Sequence, residues 1–490
     1  MPAYTASVTP APSVTPDTPR ARFAFQVYAA VGIAVFLLMM LAGVVMRATQ
    51  GTWLGVPPNY FYEILTLHGA GMVGTASLAG AAVMWYFLRR YVELSNGAFL
   101  AMMGLSLVGV VLILISIGLG GFAGAWTFLY PLPGHSMGLW SASAAAAFVV
   151  GYLLIGVGFL IFYADCALGI IRRYGSLARG LGLDQLISGN VDPAHPATVV
   201  ASTMAIIVNV LGILGGAIVL IMTLVSLYEP GIAMDALLMK NLIYFFGHVF
   251  INVTIYMAVI GVYEIIPRYT GRPWKVNRAF LGSWAAVVLL VLSVYPHHLL
   301  MDYAMPRWMA ATGQIVSYLS GIPVLLVTAW GALVNLYKSG VKWETPLRLL
   351  VFGVFGWAAG VIPAIVDGTI RVNLVMHNTL WVPGHFHFYL LLGMLPMVLG
   401  TLLYACTRDR RSNTVLDQTV FWGYVIAGVC FCCVFLNSGF HSIPRRFATY
   451  DAPWVWYAQA GAVAGTIVLL CVLFLGGRIL ARLPKASLAA

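Results

Sequence analysis

Apolar residues run through this chain in long unbroken blocks, not at the spacing of a half-buried helix or strand. Twelve blocks reach about 20 residues, the length of a bilayer-spanning helix. They fall near 23–46, 64–89, 98–122, 137–164, 197–227, 238–266, 279–300, 310–336, 347–366, 378–405, 418–437 and 454–480. Lipid offers no partner for backbone N–H and C=O groups, so such blocks fold as helices. The alternating pattern of a membrane barrel is missing. The predicted fold is all-α, a polytopic membrane bundle of twelve transmembrane helices. Residues 1–22, rich in Pro, Thr and Ser, lack the charged start and small-residue cleavage site of a signal peptide and read as a disordered tail. Residues 23–482 read as one domain and 483–490 as a C-terminal tail, with no soluble domain expected at either end.

Only 8% of the 490 residues are charged, against about a quarter in a soluble chain. That excludes an ordinary soluble enzyme, a nucleic-acid binder and a disordered scaffold. The net charge of +11 is a topology signal. Twelve spans put both termini on one side, and 20 of the 26 Lys and Arg residues then share that side, Arg89, Arg90, Arg172, Arg173, Arg268, Arg272, Lys275, Arg408, Arg410 and Arg411 among them. The opposite side holds Arg47, Lys240, Arg307, Arg371, Arg445 and Arg446. The positive-inside rule makes the termini cytoplasmic. The partner this charge calls for is the lipid bilayer, not nucleic acid. Cys166, Cys406, Cys430, Cys432, Cys433 and Cys471 lie in or at the ends of spans and read as small apolar packers.

Of the ten histidines, only His195 falls on the terminal side; His68, His135, His248, His297, His298, His377, His385, His387 and His441 all lie in the opposite half. An intramembrane histidine is costly unless paired or ligating. With few carboxylates and no sulfur pattern nearby, a cluster of imidazoles points to haem iron and copper. In GHFHF, His385 and His387 project about 200° apart on a helix. They cannot share one site, but each can face its own haem on opposite sides of the tenth span. His68 lies at similar depth in span two, where Gly69, Ala70 and Gly71 leave room for a flat macrocycle. His68 and His387 pair naturally as axial ligands of an electron-carrying low-spin haem. His385 is left for a second haem, with His248 and the His297–His298 doublet as candidates for a three-imidazole copper site. Adjacent histidines on a regular helix splay by about 100°; the preceding Tyr295-Pro296 interrupts the helix and allows convergence.

In this order, LTLHG, YFFGHVF, SVYPHHLL, HNTLWVPGHFHF and IPRRF resemble subunit I of the haem–copper oxidase superfamily, across about residues 25–480. The HNTxWVPGHFH form is most similar to its B-type branch, and WTFLYPLP at 126–133 is similar to the family's outer loop after span three. The resemblance implies that His68 and His387 hold a low-spin haem (b type), His385 a high-spin haem, and His248, His297 and His298 the CuB copper. It implies that Arg445 and Arg446 meet haem propionates, as planar bidentate cations suit, with His377 in the same region. Four residues before His377, where B-type oxidases have an acid, stands Asn373. It further implies an electron-delivering subunit II with a copper or haem c domain, cytochrome c or a cupredoxin as donor, and the cytoplasmic membrane of a prokaryote. His135 and His441 read as interface histidines.

Oxygen reductases of the family use a tyrosine that gives an electron and a proton when O2 is cleaved. In A and B types it lies one turn after the first copper ligand, on the same helix face; here that residue is Asn252. In C types it lies six residues before the histidine doublet; here that residue is Val291. Coupling two NO molecules to N2O and water takes two electrons and two protons, whereas O2 reduction takes four electrons. Nitric oxide reductases of the superfamily carry an acid or amide in place of the tyrosine. The favoured reading is therefore the catalytic subunit of a nitric oxide reductase, with Asn252, His248, His297, His298 and His385 at the reacting centre. A B-type-like cytochrome c oxidase is the alternative, with Tyr256 or Tyr295 as a displaced tyrosine; a secondary transporter is the remote one. A proton path is expected along span six through Thr254, Tyr256, Tyr263 and Glu264, although a second channel tyrosine of B-type enzymes falls on Val259.

Overall fold

The computed structural model describes residues 14–229, 231–407, 413–485 and 488. Among them, twelve helices are long and apolar enough to cross a membrane. We number them α1 (Pro19–Gln50), α2 (Pro58–Leu88), α3 (Asn96–Gly118), α4 (Ala142–Tyr174), α5 (Ala197–Tyr228), α6 (Ala236–Thr270), α7 (Arg278–Leu299), α8 (Arg307–Leu336), α9 (Thr345–Asp367), α10 (Trp381–Cys406), α11 (Val415–Phe440) and α12 (Ala452–Arg482). Apart from an isolated bridge between Thr379 and Pro444, the described residues contain no β-structure. Local chemistry sets the ends. Pro58 starts α2 in the first turn, where its missing N–H costs nothing. The Ser141 hydroxyl accepts from Ala144 N–H and starts α4, and Gly175, at φ 88°, closes it.

Burial ranks the helices. Over their most apolar stretches α6 and α10 are 89% buried and α2 is 72% buried, against 22% for α1 and 28% for α8. The three innermost helices are those that carry His248, His385 with His387, and His68. Departures from regular helical geometry fall in α7, α8 and α10 itself. The end of α7 tightens into a 3-10 turn at Tyr295–Leu299. α8 breaks between Leu319 and Ile322. In α10, Phe388–Met394 widens into a π-helix directly after His387, a distortion often found at functional sites. The widened turn frees the Leu391 carbonyl, which accepts a hydrogen bond from the Tyr424 hydroxyl of α11. α9 packs closely here: a Cβ on Gly353 would sit 2.6 Å from Met397 Cγ.

Two expectations are amended. Residues 1–13, 486–487 and 489–490 of the expected tails lie outside the described residues, as do Arg408, Arg410 and Arg411. From residue 14 onward, however, the N-terminal segment is ordered. Thr15 N–H donates to Arg89 O, and its hydroxyl donates to Val92 O, each at 2.9 Å. Helix α1 already begins at Pro19 behind a Thr18 cap, so the tail is not disordered through residue 22. Cys430 and Cys433 do not pack the interior: three residues apart on α11, they share an exposed face, while Cys432 turns inward.

Candidate metal centre

His248, His297 and His298 offer three nitrogens within 4.8 Å of one another. His248 Nδ1 and His298 Nε2 lie 2.9 Å apart. The doublet converges because the 3-10 turn replaces α-helix at Tyr295–Leu299; its two ring centroids are 4.3 Å apart, and those of His248 and His297 4.7 Å. His297 Nδ1 is buried without a partner. Asn252 lies one turn along α6, with Nδ2 3.5 Å from His248 Nε2. A metal on Nδ1 would leave Nε2 protonated and in need of an acceptor, which the amide supplies by presenting its oxygen. On the other side of the cluster, Tyr244 stacks on His298 at 5.1 Å and 13°. The Lys240–Asp302 ion pair, 2.8 Å, ties the start of α6 to the loop after the doublet. It holds the Asp302 carboxyl below its usual range.

These residues line one wall of an interior cavity of about 450 Å³ that also receives His68, His385 and His387. His68 Nδ1–H donates to Met39 O at 2.7 Å, and His387 Nδ1–H donates to Pro383 O at 2.6 Å. Each bond fixes the tautomer that leaves Nε2 as a free lone pair for a metal. The small residues beside His68 serve differently from expectation. A Cβ on Gly69 would meet Trp126 at 2.6 Å, and one on Gly71 would meet Met39, so neighbouring side chains fill both places. The close approach is at Gly43 of α1, where a Cβ would stand 2.8 Å from His68 Cε1.

Arg445 and Arg446 both line the cavity rim. Their loop is pinned by Arg445 N–H to Asn378 O and Leu380 N–H to Ile443 O, both 2.9 Å. Arg445 Nε is buried without a partner, and burial together with Arg446 pulls its guanidinium down to about 10. Among the described residues no carboxylate pairs with either arginine. Two cations around an unmatched buried donor suit carboxylates of a bound group. His377 also lines the cavity, its pKa lowered by burial and by Arg445. Asn373 donates to Asp367 O at 2.8 Å, so the acid missing at 373 is found beside it at the end of α9. The donor set thus fits two haems and a copper: two carbonyl-locked imidazoles, a third imidazole on the opposite face of α10, a histidine trio and an arginine pair.

The expected proton path is assembled only in part. Thr254 and Tyr256 line the cavity. Tyr263 instead shares a 2.6 Å hydrogen bond with Thr328. Glu264 accepts from Tyr91 at 2.7 Å and Thr198 at 2.5 Å and sits 3.4 Å from Arg90 and 3.8 Å from Arg268. It is a buried ion cluster joining α2, α5 and α6, and does not reach the cavity. Tyr295 turns away to donate to Asn241 at 3.1 Å. Sequence reasoning missed Tyr244, Tyr389, Trp126, Arg47 and Asp367, all on the cavity wall. Arg47 had a signal, being a cation directly at the end of the apolar block 23–46; it donates to Gln50, Tyr450 and Tyr457 O.

Residues 24–467 match the family described as Cytochrome C and Quinol oxidase polypeptide I. The chain is 24% identical over 220 residues to cytochrome c oxidase polypeptide 1 of Halobacterium salinarum, covering 44% of this chain and 36% of that protein. It is 23% identical over 445 residues to a probable quinol oxidase subunit 1 of Staphylococcus haemolyticus, covering 86% of this chain and 64% of that protein. The chain therefore spans less than two thirds of the length of either relative. A haem–copper terminal oxidase dimer solved by cryo-EM shares the fold, with a TM-score of 0.77 at 20% identity over 96% of this chain and 84% of that one.

Proposed function

This chain belongs to the haem–copper oxidase subunit I family, cytochrome c and quinol oxidase polypeptide I, and from that premise we propose that it is the catalytic subunit of a respiratory terminal reductase that converts NO to N2O. His68 and His387 would hold a low-spin haem, His385 a high-spin haem, and His248, His297 and His298 a copper; Arg445, Arg446 and His377 would meet the propionates. The bound metals supply electrons and a Lewis-acidic face. One observation carries the choice of NO: the residue beside His248 Nε2 is Asn252, an amide that cannot donate an electron. Without a redox side chain, the centre suits the two-electron coupling 2 NO + 2 e⁻ + 2 H⁺ → N2O + H2O. Asn252 fixes the His248 ring and offers a hydrogen bond to a bound oxygen or nitrogen. Thr254 and Tyr256, the latter one turn beyond Asn252, line the cavity with hydroxyls of α6 and are placed to hold a proton for it. The reading includes an electron-delivering subunit II with cytochrome c or a cupredoxin as donor, and a cytoplasmic membrane with the termini inside.

The test is turnover of the purified complex with NO and with O2 under one donor. Rapid O2 consumption with negligible NO reduction overturns the proposal. The names of the relatives, all oxidases, favour that second reading, an O2 reductase, and one contact gives it a residue: Tyr244, stacked on His298, is a tyrosine in contact with a copper-type imidazole. Tyr244→Phe keeps the ring and removes the hydroxyl. If Tyr244 supplied the proton and electron, O2 turnover would fall by about 100-fold; under the NO reading, NO turnover is expected to stay near wild type. Gly43→Ala tests the low-spin site. By driving a methyl into His68 it is expected to lower haem occupancy there by roughly tenfold, read as loss of the low-spin band with the high-spin band retained.

A further inference from the structure

The three imidazoles assigned to iron differ in what holds the nitrogen turned away from it. His68 and His387 each give Nδ1–H to a neutral backbone carbonyl, Met39 O and Pro383 O. His385 has no such carbonyl. Its Nδ1 lies 3.2 Å from Asp367 Oδ2, with side chains only 17% and 12% exposed. The N–H points off the line to that oxygen, leaving Nδ1 formally unpartnered; a small turn of the ring closes the bond. Asn373 braces the residue from behind: its Nδ2 donates to the Asp367 backbone carbonyl at 2.8 Å and lies 3.5 Å from carboxylate Oδ1. Among the described residues no lysine or arginine pairs with Asp367, which leaves Oδ2 available to the imidazole.

We propose that Asp367 is a positioning residue for His385, accepting its Nδ1–H and setting the high-spin site apart from the low-spin one. This rests on the assignment of His385 to a haem. A hydrogen bond to a carboxylate is about twice as strong as one to a neutral acceptor. It fixes the tautomer and ring plane and makes the ligating nitrogen more basic. A more basic axial ligand favours ferric over ferrous iron, one of the levers by which a protein sets a haem potential. One helix, α10, would thus present two haem ligands with different electron-donating power, and the difference is supplied by the last residue of α9.

The experiment compares wild type, Asp367→Asn and Asp367→Glu in the full purified complex. It reads the optical spectrum, the ferrous iron–histidine stretch by resonance Raman and the potential of each haem. The wild-type stretch should lie at the high frequency of a carboxylate-held imidazole. In Asp367→Asn it should drop, while the high-spin Fe(III)/Fe(II) equilibrium shifts about tenfold toward ferrous, about 59 mV for one electron. The low-spin haem should not move, and Asp367→Glu should restore part of the shift. A wild-type stretch at the frequency of a carbonyl-held imidazole overturns the proposal even if Asp367→Asn fails to assemble. So does an unchanged stretch and potential in an Asp367→Asn complex that retains both haems. Failure of the underlying haem assignment looks different: the wild-type complex would then carry no high-spin haem.

Discussion

His298→Ala is expected to strip copper from the purified complex and to cut turnover by more than about 100-fold, the upper end of what losing an outer partner of a metal ligand costs. Both haem spectra should persist. The effect is large because the trio has no spare: its three nitrogens lie within 4.8 Å of one another, and among the described residues Asn252 is the only other polar side chain hydrogen-bonded to it. Removing one imidazole leaves two ligands, and the stacked Tyr244 ring loses its face-to-face partner. The competing explanation is a purely structural cluster, in which His248 Nδ1 and His298 Nε2 share a proton across 2.9 Å. That explanation predicts a less stable chain with unchanged metal. Metal analysis beside thermal stability separates the two: wild type holding no copper, or His298→Ala holding as much as wild type, would sink the copper assignment.

The fold was legible because long apolar blocks have one solution in lipid, and the ends of the observed spans lie within six residues of the expected ones, except that α4 runs on to Tyr174, past the expected end at 164. The opposite projection of His385 and His387 was legible for a similar reason, since helical geometry alone fixes it. Convergence of His297 and His298 was readable only through Pro296, and it is delivered by a 3-10 turn. What stayed hidden depends on contacts between distant segments. Gly69 and Gly71 announce missing side chains but not what fills the space, and Trp126 and Met39 do so from other elements. Asp367 reaches His385 because the chain folds back after α9. Tyr244 resembles any aromatic of an apolar helix until the doublet is placed against it. Glu264 looked like a proton carrier by its position on α6, yet the fold sets it against Tyr91, Thr198, Arg90 and Arg268 and away from the cavity lining.

Asn252 is where sequence and geometry bear on substrate choice, and its replacement has the other large expected effect. Asn252→Leu keeps the side chain's branching and heavy-atom count but removes the amide beside His248 Nε2. Copper affinity should fall by no more than about tenfold, as for loss of an outer partner, while NO turnover should fall by about 100-fold, the cost of losing one preorganised donor at a site of developing charge. Asn252→Tyr adds a phenol at the place where oxygen reductases of the family keep theirs. It should lower NO turnover at least as far, because the ring enters the cavity that receives the substrate. If a redox tyrosine is what the centre lacks, Asn252→Tyr, but not Asn252→Leu, should raise the ratio of O2 to NO turnover. Wild-type NO turnover in both variants would show that Asn252 is a bystander. Equal losses, with the O2 to NO ratio unmoved, would show that the amide serves NO chemistry while selectivity is set elsewhere, with Tyr244 on His298 the next side chain to test.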